Sequence, residues 1–287
     1  MEGSVPRKRG DEPAIRSSRN PNKPSRGNVS VGGDIPAELN PYMTTFFKNL
    51  LGSMTTSGVN PYSHVGKIAN LPVGLSIEKQ FTDIAQFILY NGCRVSSFKV
   101  SVSAEGIINC TWGIMGAKEN AATIITSLDP SPTDYGHNPF DAFEASIEEG
   151  GATIATVSSF DLTVDNGLDG NNYVIGGGGE RRSLPAGIVK VSGKISALFE
   201  DMSLYTKALS HTESSLKITL KKGDGLGSAN NESIEFHLEE LVYAPNSPAI
   251  SGPTGVLVDL DFEAYYDNGN NASALMVTVK NTQSAVL

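Results

Sequence analysis

Strict alternation between apolar and polar residues along one stretch, Cys93–Met115, constrains the fold of this chain more than any other feature. The apolar positions form two runs, which are Phe98, Val100 and Val102, and then Ile108, Cys110, Trp112 and Ile114. A period of two places every second side chain on one face of a β-strand. Because the short loop Ser103–Gly106 joins the two runs, the stretch predicts a β-hairpin with one buried face.

The opposite face of this hairpin is polar. Its side chains are Lys99, Ser101, Asn109 and Thr111. A sheet with one wet face needs solvent, a lumen or another polar surface on that side. We therefore expect a mainly β chain whose polar face is completed by water or by further subunits. Trp112 lies on the apolar face, so we expect it in the core rather than in a ligand site.

Both cysteines, Cys93 and Cys110, lie in this stretch. If Val102 pairs with Ile108, Cys110 faces Val100, and Cys93 lies several residues beyond any position that could form a disulfide. We expect reduced thiols, buried or edge-facing, in a protein made in a cytosol. The basic start is not followed by the apolar stretch of a signal peptide, and no apolar run approaches the ~20 residues that span a bilayer.

Charge is divided unevenly along the chain. Of a net charge of −9, the first 27 residues carry +4 and the remainder carries −13. An acidic body repels phosphate and is a poor nucleic-acid binder. The basic arm 1–27 is either a nucleic-acid tail or, as we favour, an extended arm that docks on an acidic neighbour. The 30 glycines among 287 residues, placed between short alternating runs, indicate many turns.

Residue patterns predict further elements outside the hairpin. A helix is expected with Asn40 as its cap, Pro41 at its first position and Gly52 at its end. Residues 55–70 and 129–150 are expected to be loops. Further strands are expected at residues 28–35, 75–81, 123–128 and 154–164.

A long internal repeat organises the chain. The segment Val189–Phe199 repeats the pattern of Val29–Leu39 at a constant offset of 160 residues. A helical stripe, a strand, a hairpin and a final strand follow each segment in the same order. The later matches are Leu216 with Leu75, Ile218 with Ile77, and residues 275–279 with residues 123–128.

This order predicts two tandem copies of a β-sandwich-like unit, each with one flanking helix. Chance resemblance between two amphipathic segments is the alternative. The expected divisions are a basic extended arm over residues 1–27, a first copy with its connecting loop over residues 28–150, and a second copy over residues 151–287.

Motifs of catalysis and metal binding are weak in this sequence. The histidines are scattered without metal-ligand spacing, the cysteines form no Cys-x-x-Cys, and no Gly-x-Ser-x-Gly follows a strand. The glycine-rich segment Lys222–Ser228 lacks the Gly-Lys-Ser/Thr ending of a phosphate loop and precedes a hairpin, so it predicts a turn. We expect no enzymatic activity, no metal and no cofactor.

Carboxylates alternate with apolar residues in two later strands. They are Glu235 and Glu239 in the first strand, and Asp259, Asp261 and Glu263 in the second. Cross-strand carboxylates could bind calcium or act as an acid and base pair, although a solvated face is the simpler interpretation. A third interpretation is a wet channel, in which carboxylates would repel a polyanion that passes through.

Several segments resemble the tail tube proteins of phages with long, non-contractile tails, the siphophages. In the first half the resemblance rests on Val29–Gly52, on Leu71-Pro72 leading to Ile77–Lys79, and on Tyr90–Phe98. In the second half it rests on Phe160–Asn166, Val191–Gly193, Phe199–Asp201, Leu204–Lys207, and Gly252–Gly255 leading into Phe262–Tyr266. These are structural motifs, and none of them is catalytic.

The resemblance implies a mainly β fold of two tandem tail-tube domains, each a β-sandwich or half-barrel with one flanking α-helix. Such chains assemble into rings with a continuous inner β-barrel, and the stacked rings form the tail tube through which DNA is ejected. Because a ring of this family usually holds six tube domains, two copies per chain imply a trimeric ring, with a hexamer as the alternative. The residues expected to face the lumen are Glu235, Glu239, Asp259, Asp261, Glu263, Lys99, Ser101, Asn109 and Thr111.

The implied partners are further copies of the chain and the tail tip, tape measure and tail terminator proteins. DNA would pass without specific binding, no membrane would be involved, and the protein would be assembled in the bacterial host cytoplasm and reside in the virion tail. The segment 55–70, the arm 1–27 and the glycine cluster 176–179 are candidates for ring-to-ring contacts.

Three other functions remain open from the sequence. The first is another tail ring component, such as a distal tail or baseplate hub protein. The second is a carbohydrate-binding β-sandwich, whose site would use exposed aromatic residues such as Tyr265 and Tyr266. The third is a hydrolase that uses paired carboxylates.

Overall fold

The structure is a computed structural model that describes residues 1–4, 7–8, 20, 25–120, 127–154, 156–200, 202–247, 256–266, 269 and 271–286. Its helices are α1 (Thr44–Leu51), α2 (Ser203–Leu209) and a short 3-10 helix (Ala142–Glu144). Its strands in the first half are β1 (Glu2–Ser4), β2 (Arg7–Lys8), β3 (Ser25–Arg26), β4 (Ser30–Glu38), β5 (Gly52–Gly58), β6 (Tyr62–Ile68), β7 (Leu75–Phe81), β8 (Gln86–Ser103), β9 (Asn109–Gly116) and β10 (Lys118–Asn120). The later strands are β11 (Ala145–Glu149), β12 (Ala152–Thr153), β13 (Val157–Asp165), β14 (Lys190–Leu198), β15 (Ser214–Lys221), β16 (Ser233–Tyr243), β17 (Leu257–Ala264) and β18 (Met276–Asn281).

Most of these strands join one large antiparallel sheet that does not close on itself. Its main path runs β1–β4–β9–β8–β13–β14–β17–β16–β15–β11–β12, while β2 and β3 pair separately. The long strands β8 and β16 change partners along their length: β8 pairs first with β7 and β10 and then with β9 and β13. In the same way β16 pairs first with β15 and β18 and then with β17. The predicted fold class, mainly β with one helix in each half, is confirmed.

The hairpin predicted from Cys93–Met115 forms between β8 and β9. Val100 stands opposite Cys110, which is the predicted register. A β-bulge interrupts the ladder between Val95 and Ser97. Both cysteines are free and buried, as predicted.

Aromatic side chains from α1, β8, β9 and β16 meet in the core. The ring centroid of Phe47 lies 5.0 Å from that of Trp112 and 5.9 Å from that of Phe236. The ring centroids of Phe98 and Trp112 are 4.4 Å apart, and all four side chains are buried. Aromatic pairs at such separations contribute ~0.5–1.5 kcal/mol beyond the burial of their area. Helix α1 therefore packs directly on the hairpin, and Trp112 is a core residue as predicted.

Helix α1 begins later than the sequence predicted. It starts at Thr44 with Met43 as its N-cap, which makes no side-chain capping bond. The Asn40 Oδ1 instead accepts a hydrogen bond from the backbone N–H two residues on, at 2.9 Å, so Asn40 and Pro41 form a turn before the helix. The end of the helix is as predicted. Gly52 adopts a φ of +94°, in the left-handed region that residues with a Cβ atom rarely occupy.

Two segments predicted to be loops are strands. Residues 55–70 lie largely in the hairpin β5–β6, and β6 pairs along β18. Residues 145–149 form β11, which pairs along β15. Both segments are rich in Ser, Thr, Gly or Glu, so their own pattern is polar, and pairing with an apolar neighbouring strand determines their conformation. Residues 123–126 of the strand predicted at 123–128, most of the arm 1–27 and residues 252–255 lie outside the described residues.

The two halves of the chain contain the same ladders in the same order. In the first half β4 pairs with β9 and β9 with β8, and in the second half β14 pairs with β17 and β17 with β16. The strand pairs β1·β4 and β7·β8 correspond to β13·β14 and β15·β16. Helices α1 and α2 follow β4 and β14. The ladder β8·β13 has no second copy within the described chain, because it joins the two halves.

These ladders correct the predicted alignment of the later strands. A register shift lies between Leu75 and Ile77 in β7 and between Ser214 and Leu216 in β15. Leu216 therefore corresponds to Ile77 and not to Leu75, and a shift of two residues leaves the same face buried. Strand β18 pairs along β16 as β10 pairs along β8, and Met276, opposite His237, corresponds to Asn120, opposite Leu89. Most of the counterpart predicted for β18, residues 123–128, lies outside the described residues.

Candidate functional site

Six neighbouring strands, in the order β4–β9–β8–β13–β14–β17, carry a continuous surface of polar side chains that we call the polar face. The alternate residues of these strands, such as Val100, Leu162 and Leu260, are buried on the other side. The polar face consists of Asp34, Glu38, Ser97, Lys99, Ser101, Ser103, Asn109, Thr111, Ser159, Asp161, Thr163, Asp165, Lys190, Ser192, Lys194, Ser196, Asp259, Asp261 and Glu263.

Seven of the nine residues that the sequence nominated as lumen-facing belong to the polar face. They are Lys99, Ser101, Asn109, Thr111, Asp259, Asp261 and Glu263. Lys99 stands opposite Thr111 in β9 and opposite Thr163 in β13. Strands β13 and β14 then connect this group to the carboxylates of β17. The ladder β8·β13 thus brings two groups from separate hairpins onto one surface.

The other two nominated residues, Glu235 and Glu239, lie apart from the polar face. They belong to the first part of β16, where Glu235 stands opposite Thr219 of β15 and Thr278 of β18. The Glu239 Oε2 lies 3.1 Å from the Nε2 of His237. These two carboxylates therefore occupy a separate surface of the sheet.

Lys194 is the centre of a charged cluster on the polar face. It stands between Asp161 and Asp261 across the ladders, and its Nζ donates to the Oδ2 of Asp259 at 2.9 Å. The Ser196 hydroxyl donates to the other carboxylate oxygen of Asp259. The hydrogen bonds from Ser196 and Lys194 lower the pKa of Asp259, and the bond to Asp259 raises the pKa of Lys194. The lysine is therefore already paired with a carboxylate.

Carboxylates outnumber lysines on the polar face. The acidic residues are Asp34, Glu38, Asp161, Asp165, Asp259, Asp261 and Glu263, and the lysines are Lys99, Lys190 and Lys194. The remaining side chains are Ser, Thr and Asn, which offer only neutral hydrogen bonds. A surface of net negative charge repels a phosphodiester backbone. Chemically, the arrangement suits a hydrated wall that a polyanion can pass without binding.

The ladder β8·β13, which we call the seam between the two halves, is reinforced by hydrogen bonds behind the polar face. Strand β13 pairs along Ser97–Ser103 of β8. Asn166, which directly follows β13, is fully buried. Its Nδ2 donates to the carbonyl oxygens of Leu50 and Val95, both at 2.9 Å. The Leu50 carbonyl lies in the last turn of α1, where a helix leaves its carbonyl groups unpaired. Asn166 thus ties the second half of the chain to the helix of the first.

The connection between β13 and β14, residues 166–189, reinforces this seam. Arg181 donates from its Nη1 to the carbonyl oxygens of Val31 and Gly116, both at 2.7 Å, and from its Nη2 to the Ser30 Oγ at 2.9 Å. Hydrogen bonds from a charged donor are stronger than neutral ones. A segment of the second half is therefore fastened to β4 and β9 of the first.

Three further features that could suggest chemistry have a structural explanation or are absent from the described residues. In the residues that the structure covers, no group of three or more His, Cys, Asp or Glu is placed to hold a metal ion. The buried Glu149 is paired with the Nζ of Lys207 at 2.7 Å and accepts a hydrogen bond from Ser214. The segment Lys222–Ser228 is a turn between β15 and β16, with three glycines at positive φ. Neither α1 nor α2, nor any other described helix, has the length and apolar character that a membrane crossing requires.

Sequence reasoning missed the residues of β13 and β14 that complete the polar face. Asp161, Thr163 and Lys194 are the central ones. The alternation in Phe160–Val164 was visible and predicted a strand, but a single strand does not reveal its neighbours. Only the pairing of β13 with β8 and β14 shows that these side chains share one surface.

A comparison with models of known protein families identifies the class to which this fold belongs. The family model described as phage tail tube protein matches residues 5–264, which is most of the chain. The open, mainly β fold with its polar face is thus that of a structural component of a phage tail. The chain belongs to the phage tail tube protein family, and the resemblance noted in the sequence is confirmed at that level. No match was found among curated proteins.

Proposed function

We propose that this chain builds the tail tube of a siphophage, in stacked rings that conduct DNA during ejection. The observation that carries the proposal is the continuous polar face on the open sheet of a tail tube protein. An open sheet leaves edges with which further copies can pair, and closure of a circle removes those edges. In such a circle the polar face lines the central lumen.

The charge of the polar face supports a conduit for DNA. Its carboxylates repel the phosphodiester backbone, and Lys194 is paired with Asp259 instead of being available to phosphate. DNA would therefore slide along this wall without adhering. Seven of the nine residues that the sequence predicted to face the lumen are assigned to it. Glu235 and Glu239 are not, because they lie in the part of β16 that pairs with β15 and β18.

Each ring is proposed to contain three chains. The two halves repeat the same ladders, so each half would supply one tail-tube unit and three chains would supply six. The proposed units are residues 28–150 and 151–287, and the ladders favour adding β1 to the first unit because β1 pairs with β4 as β13 pairs with β14. A ring of six chains is the alternative stoichiometry, and the mass of an isolated ring distinguishes the two.

Stacking would use the parts of the chain that project from the sheet. Val59 at the tip of the hairpin β5–β6 is 88% exposed, and Ile175 beside the glycine cluster is fully exposed. Exposed apolar residues at projecting tips suit contacts between rings. Together with the arm 1–27, these segments are the proposed ring-to-ring contacts. The further partners are the tail tip, tape measure and terminator proteins, and assembly takes place in the bacterial host cytoplasm.

Size-selective labelling of assembled tubes tests the lumen assignment. Thr163→Cys places a thiol on the polar face, and Thr219→Cys is a matched control at a half-buried threonine on β15, away from that face. Both native cysteines are buried and do not compete. In assembled tubes, imaged by negative-stain electron microscopy, a small maleimide should label both variants. A maleimide attached to a globular protein should label only the control.

The result that would overturn the proposal is equal labelling of the Thr163→Cys thiol by the large reagent before and after assembly. A second measurement uses virions that carry Asp259→Asn, Asp261→Asn and Glu263→Gln together. These virions should contain normal tubes but deliver DNA less efficiently, because the wall repels DNA less strongly. Misfolding of this triple variant would contradict the assignment, since lumenal side chains are not required for the core.

A further inference from the structure

We infer that the ladder β8·β13 is repeated between protomers, with β1 of one copy paired along Ala244–Ser247 of the next. This inference rests on the proposed ring and names the two edges that close it. The partner is a second copy of this chain.

Strand β1 corresponds to β13. Glu2 stands opposite Gly32 in β4, and Thr163 stands opposite Ser192 in β14. Gly32 and Ser192 are related by the offset of the sequence repeat, so Glu2 corresponds to Thr163. In the second half this strand has β8 on its other side, whereas in the part of the chain that the structure describes β1 pairs only with β4.

The segment Ala244–Ser247 corresponds to the edge of β8 that receives β13. Asp261 stands opposite Lys194, the fifth residue of β14, and Gly113 stands opposite Asp34, the fifth residue of β4. Asp261 and Gly113 therefore correspond. The backbone N–H of Ala244 donates to the carbonyl oxygen of Asp261 at 2.8 Å, which extends the ladder β16·β17. Since Ser97 stands opposite Gly113, Ala244 corresponds to Ser97.

The register of β8·β13 then fixes the register between protomers. It places Glu2 opposite Asn246 and Ser4 opposite Ala244. Glu2 and Ser4 would continue the polar face across the seam, because their counterparts in β13 belong to it. Glu2 meets an amide and not a second carboxylate, so no like charges stand directly opposite each other.

Among the described residues, β1 has no second strand beyond β4, and Ala244–Ser247 has none beyond β17. The residues of β1 and of Ala244–Ser247 are exposed. The N–H of Ala244 points towards β17, so the nitrogen of Pro245 points towards the free edge and offers no donor. Proline is tolerated on edge strands and hinders indiscriminate pairing there, while its carbonyl oxygen still accepts a hydrogen bond. The protomer seam would therefore have one donor fewer than β8·β13.

The proposed contact consists of these two edges. Within the chain, residues 166–189 reinforce the seam, and their counterpart is the connection of nearly equal length between β1 and β4, residues 5–29. Most of that connection lies outside the described residues, so it is not part of the proposed contact.

Disulfide trapping in the full chain tests the seam. Directly opposed residues of an antiparallel pair have Cα atoms ~4.5–5.5 Å apart, which suits a disulfide. The variant Glu2→Cys with Asn246→Cys is assembled, oxidised mildly and run on a non-reducing gel. The control, Glu2→Cys with Thr219→Cys, has the same number of cysteines but places one away from both edges. Thermal unfolding under reducing conditions verifies the fold, and Ser4→Cys with Ala244→Cys tests the same register if the first pair does not fold.

We expect the seam pair to enter covalent rings roughly tenfold more than the control, because the paired edges hold its thiols at high effective concentration. Rings that form in the microscope without cross-links in either seam pair would overturn the edge assignment and leave the proposed function standing. A wild-type chain that stays monomeric at high concentration, with no rings, would overturn the proposed function and the seam together.

Discussion

Gly193 leaves the space that the aromatic ring of Phe262 occupies. A Cβ atom at Gly193 would lie 2.5 Å from the Cζ of Phe262 and 2.0 Å from the carbonyl oxygen of Asp161. The ring of Phe262 stacks on that of Phe160, with centroids 6.0 Å apart. The core behind β13, β14 and β17 therefore depends on the absence of a side chain at this position.

Substitution of this glycine should destabilise the fold. We expect Gly193→Ala to lower the free energy of unfolding by about 1–3 kcal/mol or more, because the new methyl group overlaps backbone and a packed ring. Chemical denaturation measures the change. The control is Ser192→Ala on the polar face, which should change stability by less than about 0.5 kcal/mol. Equal stability of the two variants would show that the ring moves aside without cost.

Loss of Arg181 should release the connection 166–189 from the first half. Its guanidinium bonds the carbonyl oxygens of Val31 and Gly116, and charged hydrogen bonds contribute about 1.5–3 kcal/mol each. Limited proteolysis should cut Arg181→Ala near the glycine cluster faster than the wild type. The neighbouring Arg182 is exposed, so Arg182→Ala is a matched control that should be cut at the wild-type rate. Unchanged cleavage of Arg181→Ala would contradict the role of this contact.

The elements that could be predicted from the sequence are those whose pattern is local. The hairpin β8–β9 and its register follow from alternation over adjacent residues, and Val100 does stand opposite Cys110. Gly52 marks the end of α1 in the sequence, because a left-handed residue after a helix favours glycine. The start of α1 is less well defined by the sequence, because Asn40 can stabilise a turn as well as a helix cap.

The elements that could not be predicted depend on distant strands. Residues 55–70 and 145–149 read as loops because their polar residues carry no burial pattern, and they form strands only by pairing with β18 and β15. The polar face could be found in part, since Asp259 and Lys99 both alternate with core residues. Their membership of one surface depends on β8·β13, a pairing between halves that alternation does not encode.

The Asp259 carboxylate should titrate at unusually low pH. The hydrogen bonds from Ser196 and Lys194 hold its pKa below the ordinary value of 3.8. A carboxylate with a lowered pKa stabilises the fold above its unfolded pKa, and this contribution is lost as the pH falls through the lower folded value. Carboxyl carbon NMR of the unassembled chain should give a midpoint below 3.8. Ser196→Ala should raise that midpoint, whereas Ser192→Ala should not, and a midpoint unaffected by Ser196→Ala would rule out this hydrogen bond as its cause.

The two native thiols should be unreactive until the chain unfolds. Burial raises the pKa of Cys93 to about 11 and that of Cys110 to about 12. Because the thiolate is the reactive form, both should resist a chromogenic disulfide reagent at pH values near ~8, well below either pKa. The folded wild type should release almost no chromophore, and the protein in guanidinium should release the equivalent of two thiols per chain. The exposed thiol of the Asn246→Cys variant serves as a positive control, and prompt reaction of a native thiol in the folded chain would show that the core behind the hairpin opens.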